Sequence, residues 1–257
     1  MMNNHSFIHP KARLGQDVTV GPFCYIGPDV VIGDNCVLES HVVMKGPCFI
    51  GSNNHFFQFC SIGEACQDKK YNGEPTRLTI GDNNVFRECV SVHRGTIQDA
   101  GETVIGNDNL MMAYTHIAHD CRIGNHIVFS NSVGVAGHCQ VDDWAIIGGM
   151  SGIHQYVRIG AHAFVAGCSV VRLDVPAFVM AAGFGAEPKG LNTEGMKRRG
   201  YSSEEIQAMR KTYRIFYRSG LSKDDALTEL LEPSGQYASV MQFTQFIKSS
   251  KRGFIRS

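Results

Sequence analysis

The sequence carries no net charge, since 24 Lys and Arg are balanced by 24 Asp and Glu. That balance, with 43% apolar and 19% charged residues, excludes an intrinsically disordered chain and a wholly basic nucleic-acid binder. No apolar run approaches the roughly 18 residues of a membrane span. The opening MMNNHSFIHPKARLG also lacks the charged and apolar regions of a signal peptide. A cytoplasmic protein without an integral membrane segment is therefore expected. There is no CxxC pair, and nine cysteines in 257 residues are too dilute for a disulfide scaffold.

The overall balance conceals an asymmetry. Residues 1–188 hold 11 Lys and Arg against 17 Asp and Glu, whereas residues 189–257 hold 13 against 7. A basic tail on an acidic body suits an acidic macromolecular partner or a phosphorylated ligand, or is simply a solvated helical face.

A six-residue period decides the fold class. Stepping by six from Leu14 to Ile62, then through Ile80, Phe86 and Val92, then from Ile105 to Val171, meets an apolar residue at all 24 positions. Chance would give this with a probability on the order of 10⁻⁹ before choice of frame. Gly often follows the apolar residue, as at Gly15, Gly33, Gly81 and Gly148, and a sharp turn with unusual dihedrals would account for it. The position four after each apolar residue should also point inward and be small. Seven of the nine cysteines occupy it (Cys24, Cys36, Cys48, Cys60, Cys66, Cys121 and Cys139) and read as small core residues. Sides of six residues close a triangular coil after 18, with coils stacked at about 4.8 Å. The unit is a parallel β-helix. Such hexapeptide repeats resemble the left-handed β-helix family, and the left hand is implied by that resemblance alone.

Residues 64–79 and 93–104 escape the period and are expected to project as loops, where polar segments recognise ligands. The expected division is a β-helix over 1–190 and a C-terminal helical domain over 191–257. PAFVMAAGFGAEPKG (176–190) reads as a linker. Ser202 with Glu205 forms a capping box ahead of Ile206, Met209, Tyr213, Phe216 and Tyr217 at helical spacing. Ser222 with Asp225 starts a second helix expected to end before Pro233, and Val240, Phe243, Phe246 and Ile247 mark a third. These helices would cap or flank the open end of the solenoid.

The 18-residue coil makes the geometry of the histidines His116, His119, His138 and His154 computable. His119, Gly137 and Gln155 fall on one column, with His138 one coil above His119 and one residue along. A histidine base facing a backbone N–H, with Asp120 to orient or charge-stabilise the imidazole, suits acyl transfer to a substrate hydroxyl. An alternative is a zinc site on His116, His119 and His138, as in proteins resembling the γ-class carbonic anhydrases. A non-catalytic scaffold is a third reading, and leaves the histidine cluster and the basic tail unexplained.

Several segments then carry a specific likeness. They are Val20–Pro28, Gln67-Asp68, Gly73–Arg77, Val92–Thr96, His116–Cys121, Ala136–His138, Ile146–Met150, His154-Gln155 and Gly195–Gly200. Together they resemble the UDP-N-acetylglucosamine 3-O-acyltransferases, the acyl-carrier-protein-dependent family that opens lipid A biosynthesis, and the likeness covers almost the whole chain. The resemblance implies His119 as general base, Asp120 as its carboxylate and Gly137 as backbone oxyanion donor. It implies Asp68, Lys70, His116, His138 and Gln155 around the glucosamine and acyl chain, with Gly167 helping to set acyl length. Asn192, Glu194, Arg198 and Arg199 would meet the nucleotide, two guanidinium groups suiting a diphosphate. It further implies acyl carrier protein and UDP-N-acetylglucosamine as partners, no metal or other cofactor, and a homotrimer with sites between neighbouring prisms. A sister family acylates the amine of UDP-glucosamine and has an extra N-terminal domain, which is not expected here because the repeat begins by Leu14.

Overall fold

A computed structural model describes residues 5–256. Short strands, mostly two residues long, line up into three sheets of nine, eight and ten strands, one for each side of a triangular prism. Pairing is parallel throughout apart from the last pair, and advances by one coil. Phe7 pairs with Tyr25, and His116 with Gly134. The six-residue period follows directly from this geometry. The apolar residues point inside the prism, most of them at the end of a strand, so Ile26, Leu38, Met44, Phe56, Ile117 and Phe129 are fully buried rungs. Each such side chain contributes roughly 1.5–3 kcal/mol relative to exposure. Phe56 and Phe86 stack at 4.6 Å between ring centroids.

The position four after the rung is also internal. All seven repeat-phase cysteines are buried and free. Where Asn replaces Cys, it builds a ladder. Asn84 Nδ2 donates to Asn54 Oδ1 (3.0 Å) and Asn109 Nδ2 to Asn84 Oδ1 (2.9 Å), which satisfies amides that would otherwise be costly inside the prism.

The reason for the glycines differs from the sequence reading. Of those following a rung, only Gly63 has a positive φ. The left-handed turn conformation falls instead on the third residue after the rung, which is rarely glycine: Asp17, Asn35, Asn53, Asp120, His138, Trp144 and His162 all have φ between 54° and 65°. Glycine is needed one step after the rung because the next coil is too close. A Cβ at Gly33 would lie 2.6 Å from the carbonyl carbon of Gly51, and one at Gly21 2.7 Å from that of Glu39.

Two excursions leave the coils. Ser61 pairs with Ser91, 30 residues on, and Ile80 with Ile105, 25 on, against the usual 18, so the excursions add 12 and 7 residues. The first addition is a whole number of repeats, which is why it preserves the phase. Both are shorter than the sequence suggests, because Arg77–Ile80 and Glu102–Ile105 extend as four-residue strands that pair with each other. The stretch read as a linker is also structured. Val179–Ala182 pairs in parallel with Phe164–Val165 as part of the last coil, then returns antiparallel as Glu187–Leu191, a strand that spans the expected border at 190.

Five helices follow: α1 (Thr193–Arg198), α2 (Ser203–Arg218), α3 (Lys223–Glu229), α4 (Leu231–Gln236) and α5 (Ala238–Ser249). Ser202 caps α2 by accepting from Glu205 N at 3.1 Å, but the Glu205 carboxylate turns to Ser239 N, leaving the capping box half made. The helix begun at Ser222 ends at Glu229, before Pro233 as expected, and Pro233 belongs to a further helix, α4. It sits in the first turn of α4, where its missing N–H has no intrahelical acceptor to lose. The helices flank the last coils. Arg158 lies over the Phe246 ring, and Ile255 N donates to Asp174 O. No helix among the described residues is long and apolar enough to cross a membrane.

Candidate active site

His119 lies two residues after the rung Ile117, at a corner of the prism, and Asp120 occupies the left-handed turn position next to it. This turn brings the two adjacent side chains together, with His119 Nδ1 2.8 Å from Asp120 Oδ2. Asp120 is held from the other side by Thr96, whose N–H (2.9 Å) and hydroxyl (2.6 Å) donate to its two oxygens, and its own N–H donates to Thr103 Oγ1 at 2.8 Å. Burial alone would raise the Asp120 carboxyl, but the hydrogen bonds from His119 and Thr96 outweigh it and hold the group below the usual carboxylate range. An ionised Asp120 fixes the proton of His119 on Nδ1 and leaves the Nε2 lone pair free.

The coil above supplies the facing wall. Gly137 lies so close that a Cβ there would be 2.6 Å from His119 Nε2. Its carbonyl accepts from Tyr156 N (3.1 Å), whereas its N–H donates to no group among the described residues. His138 sets its ring edge-on to His119 at 5.0 Å between centroids, places Nδ1 3.0 Å from Asp99 Oδ2, and stacks on Tyr156 at 4.4 Å. His116 Nδ1 lies 2.8 Å from Ser91 Oγ, and its ring packs against buried His93 at 4.7 Å. A cleft of about 680 Å³ opens in front of His119, floored by Gly134, Ala136 and Gly137, edged by His93, His116 and Gln155, and closed at one side by Gln67, Asp68 and Lys69 of the first excursion.

Of the residues expected around the glucosamine and acyl chain, Asp68, His116 and Gln155 line this cleft, His138 stands beside it against His119, and Lys70 and Gly167 lie outside it. Lys70 is exposed outside the cleft, where its N–H donates to Asp68 Oδ1 (2.9 Å), and Lys69 lines the cleft instead. His154, singled out with the other histidines by the coil geometry, turns away to Arg252, whose Nη2 is 2.9 Å from its Nδ1. Gly167 stands against Gly149 at another corner, away from this cleft. Thr96, Asp99, His93 and Tyr156 were not assigned site roles by sequence reasoning. Tyr156 follows His138 by 18 residues, so the coil arithmetic reaches it, whereas Thr96 and Asp99 lie in an excursion that no period indexes.

The residues expected at the nucleotide gather elsewhere, in a cleft of about 450 Å³ between α1 and the apolar face of Ile146, Phe164 and Met180. Asn192 caps α1 through Gly195 N (2.9 Å) and donates to His162 O (3.0 Å). Glu194 and Arg198 form an exposed pair at 3.2 Å. Arg199 lies over the Trp144 ring.

The zinc reading needs His116, His119 and His138. Among the described residues the group able to converge is His119, Asp120 and His138, with ligand atoms within 4.8 Å of one another. Its carboxylate is already engaged by Thr96 and His119, and His116 is turned to Ser91. This donor set suits a hydrogen-bonded base better than a tetrahedral metal centre.

Two buried histidines predict a pH dependence of stability. Burial first, then the neighbouring His116, pulls His93 down to about 4, and burial with Arg199 does the same to His162. In each case the unfolded chain, with an ordinary value near 6.5, takes up the proton first as pH falls. The two histidines should therefore lower folding stability from about pH 6.5 down to about pH 4, by about 2–3 kcal/mol each, and carboxylates held low, such as Asp120, add their own loss as pH falls further. Denaturant midpoints measured between pH 7 and pH 4 check this, and a flat profile would contradict it.

Stacked hexapeptide coils with a histidine–carboxylate pair at one corner define a transferase of the hexapeptide-repeat, left-handed β-helix class. A bacterial transferase hexapeptide model (six repeats) matches residues 4–46, and a model of UDP-N-acetylglucosamine O-acyltransferase, domain 2, matches residues 174–255. The acyl-(acyl-carrier-protein)–UDP-N-acetylglucosamine O-acyltransferase of Pseudomonas paraeruginosa strain PA7 is 54% identical over 256 residues, covering 100% of this chain and 99% of its own. Two solved structures are superimposable along their length. The Acinetobacter baumannii protein has a TM-score of 0.96 at 46% identity, covering 99% of both chains. The Francisella novicida UDP-N-acetylglucosamine acyltransferase has 0.97 at 41%, covering 100% of this chain and 94% of its own. The chain belongs to the acyl-(acyl-carrier-protein)–UDP-N-acetylglucosamine O-acyltransferase family and is an O-acyltransferase.

Proposed function

We propose that the protein transfers an R-3-hydroxyacyl chain from acyl carrier protein to the 3-hydroxyl of UDP-N-acetylglucosamine, the opening acylation of lipid A biosynthesis, in the cytoplasm and without a metal or other cofactor. The observation that carries the reading is the disposition of His119, with Nδ1 tied to Asp120 and Nε2 against Gly137. Nε2 takes the proton of the sugar hydroxyl as its oxygen attacks the thioester carbonyl. The oxyanion of the tetrahedral intermediate faces the unpartnered N–H of Gly137. Collapse expels the carrier's thiolate, which takes the proton back from His119. The hydroxyl of the acceptor is itself the nucleophile, so no acyl-enzyme forms. His116, His138, Gln155 and Asp68 surround the sugar and the start of the acyl chain, with Lys70 beside them on the first excursion, outside the cleft.

The two clefts share no lining residue and open at different corners of the prism. One substrate would touch both sets where the His119 corner of one chain met the Arg199 corner of another, which suits a homotrimer with each site built from two chains. Gly167 would then come to the acyl chain from the neighbouring subunit. The β-helix coils supply the chemistry, and the C-terminal helices supply part of the nucleotide site and the landing surface for the carrier.

The test is to incubate the purified protein with UDP-N-acetylglucosamine and a panel of hydroxyacyl-carrier-protein thioesters, and to identify products by mass spectrometry. An O-acylated sugar nucleotide is expected, and its absence with every thioester would favour the scaffold reading. The carrier surface has its own test. Arg210, Lys211, Arg214 and Arg218 are exposed on α2, whose other face buries Ile206, Met209 and Phe216. Arg210→Glu with Arg214→Glu should raise KM for the carrier about fivefold or more and flatten its salt dependence, while leaving the KM for UDP-N-acetylglucosamine unchanged. An unaltered carrier KM and salt slope would make the basic tail a solvated face.

A further inference from the structure

Trp144 is the chain's only tryptophan, and it stands at the left-handed turn position of its coil with φ 65°. It belongs to an aromatic column. His126, one coil before, stacks on it at 4.0 Å and 19°, and His162, one coil after, lies parallel at 6.3 Å. Arg199 approaches this column from the end of α1, with its guanidinium carbon 5.0 Å from the Trp144 ring centroid and Nη2 donating to the Trp144 carbonyl at 3.0 Å. Its Nη1 is buried and has no partner among the described residues. The neighbouring Arg198 differs in every respect. It is exposed, and its guanidinium is taken up by Glu194. Of the two arginines in the cleft wall, one is held over a ring with a donor left over, and the other is an ordinary surface ion pair.

We propose that Trp144 is a positioning residue, holding the Arg199 guanidinium against its ring where Arg199 lines this cleft, in place for the anionic diphosphate of a nucleotide sugar. The inference rests on the reading that the cleft takes the nucleotide. A guanidinium pulled from water loses hydration that a backbone carbonyl alone does not replace, and burial accordingly lowers the Arg199 pKa. The indole face compensates by its quadrupole, for which tryptophan is the strongest side chain. Preorganised in this way, Arg199 meets the diphosphate without first giving up rotamer freedom.

The test compares Trp144→Leu, Trp144→Phe and Arg199→Ala in the full-length protein, with KM for UDP-N-acetylglucosamine, kcat and carrier KM measured for each, and follows wild-type Trp144 emission as UDP is added. Trp144→Leu should raise the acceptor KM between about threefold and thirtyfold, with kcat and carrier KM unchanged, and Trp144→Phe should restore most of the loss because it keeps a π face. Wild-type emission should change saturably with UDP. Acceptor KM unchanged in Trp144→Leu while Arg199→Ala raises it would overturn the positioning role and leave the nucleotide reading standing. Equal defects in the Leu and Phe variants would likewise overturn it, since the ring face would then be immaterial. An acceptor KM unchanged in Arg199→Ala would remove the nucleotide reading and the proposal together. Should Trp144→Leu fail to fold, the Phe variant and the wild-type titration decide the matter, and emission indifferent to saturating UDP counts against the proposal.

Discussion

His119→Ala is expected to lower kcat by at least about 10²–10⁴-fold, the range for losing a positioned acid–base group, while assembly and substrate KM values stay close to native. The size of the effect follows from the absence of a substitute. His138 is the nearest other imidazole, but its ring stacks on Tyr156 and its Nδ1 is committed to Asp99. His116 is engaged with Ser91, and His93 is buried behind it with a pKa pulled to about 4. None of the three can take up the place that Nε2 of His119 holds against Gly137. Steady-state turnover at saturating thioester and acceptor checks the expectation, and a variant with near-native turnover would remove His119 from the mechanism.

Gly137→Ala should be nearly as damaging, for a steric reason. The backbone at Gly137 has no positive φ, so alanine is not strained there. The added methyl carbon, however, would lie 2.5 Å from His119 Cε1 and 2.6 Å from Nε2, inside van der Waals contact. Either the imidazole swings out of its bond to Asp120 or the coil shifts and carries the Gly137 N–H with it. Both movements spoil the placing of the proposed base and oxyanion donor, and a loss of about 10²–10³-fold in kcat is expected, comparable to removing one oxyanion donor. The variant should fold normally, because the prism core does not include this edge. Turnover within a few-fold of native would show that the close approach has no catalytic purpose.

The architecture was legible because a solenoid repeats its instructions. Once Ile117, Val135 and Ile153 are seen as successive rungs, the stacking of His119, Gly137 and Gln155 is a matter of counting by 18, and the register of the strands agrees with it. The same counting would have placed Trp144 between His126 and His162. Where the period lapses, sequence offered no ruler. Thr96 and Asp99 come from an excursion of seven extra residues, and only tertiary structure shows that Thr96 donates twice to Asp120. The turn chemistry was misread because glycine after each rung suggested unusual dihedrals. In fact, coil-to-coil contact excludes a Cβ there, and Asp, Asn and His bear the left-handed conformation two residues later. The end of the solenoid was misread for a related reason. Val179–Ala182 is one continuous strand completing the last coil, and its Gly- and Pro-rich flanks resemble a linker when pairing partners are unknown.

The account stands most directly on the claim that His119 of one chain and the Arg198–Arg199 pair of another serve the same substrate. Mixed assemblies test it. Chains carrying His119→Ala and chains carrying Arg198→Ala with Arg199→Ala, each weakly active alone at low UDP-N-acetylglucosamine, are co-expressed under separate tags, and assemblies holding both are isolated and assayed at that concentration. Wherever the intact His119 corner of one variant meets the intact arginine corner of the other, a complete site re-forms, so the mixed assemblies should recover a substantial part of wild-type turnover. Mixed assemblies no more active than the better of the two parents would contradict the account, because a site contained within a single chain cannot be repaired by its neighbour.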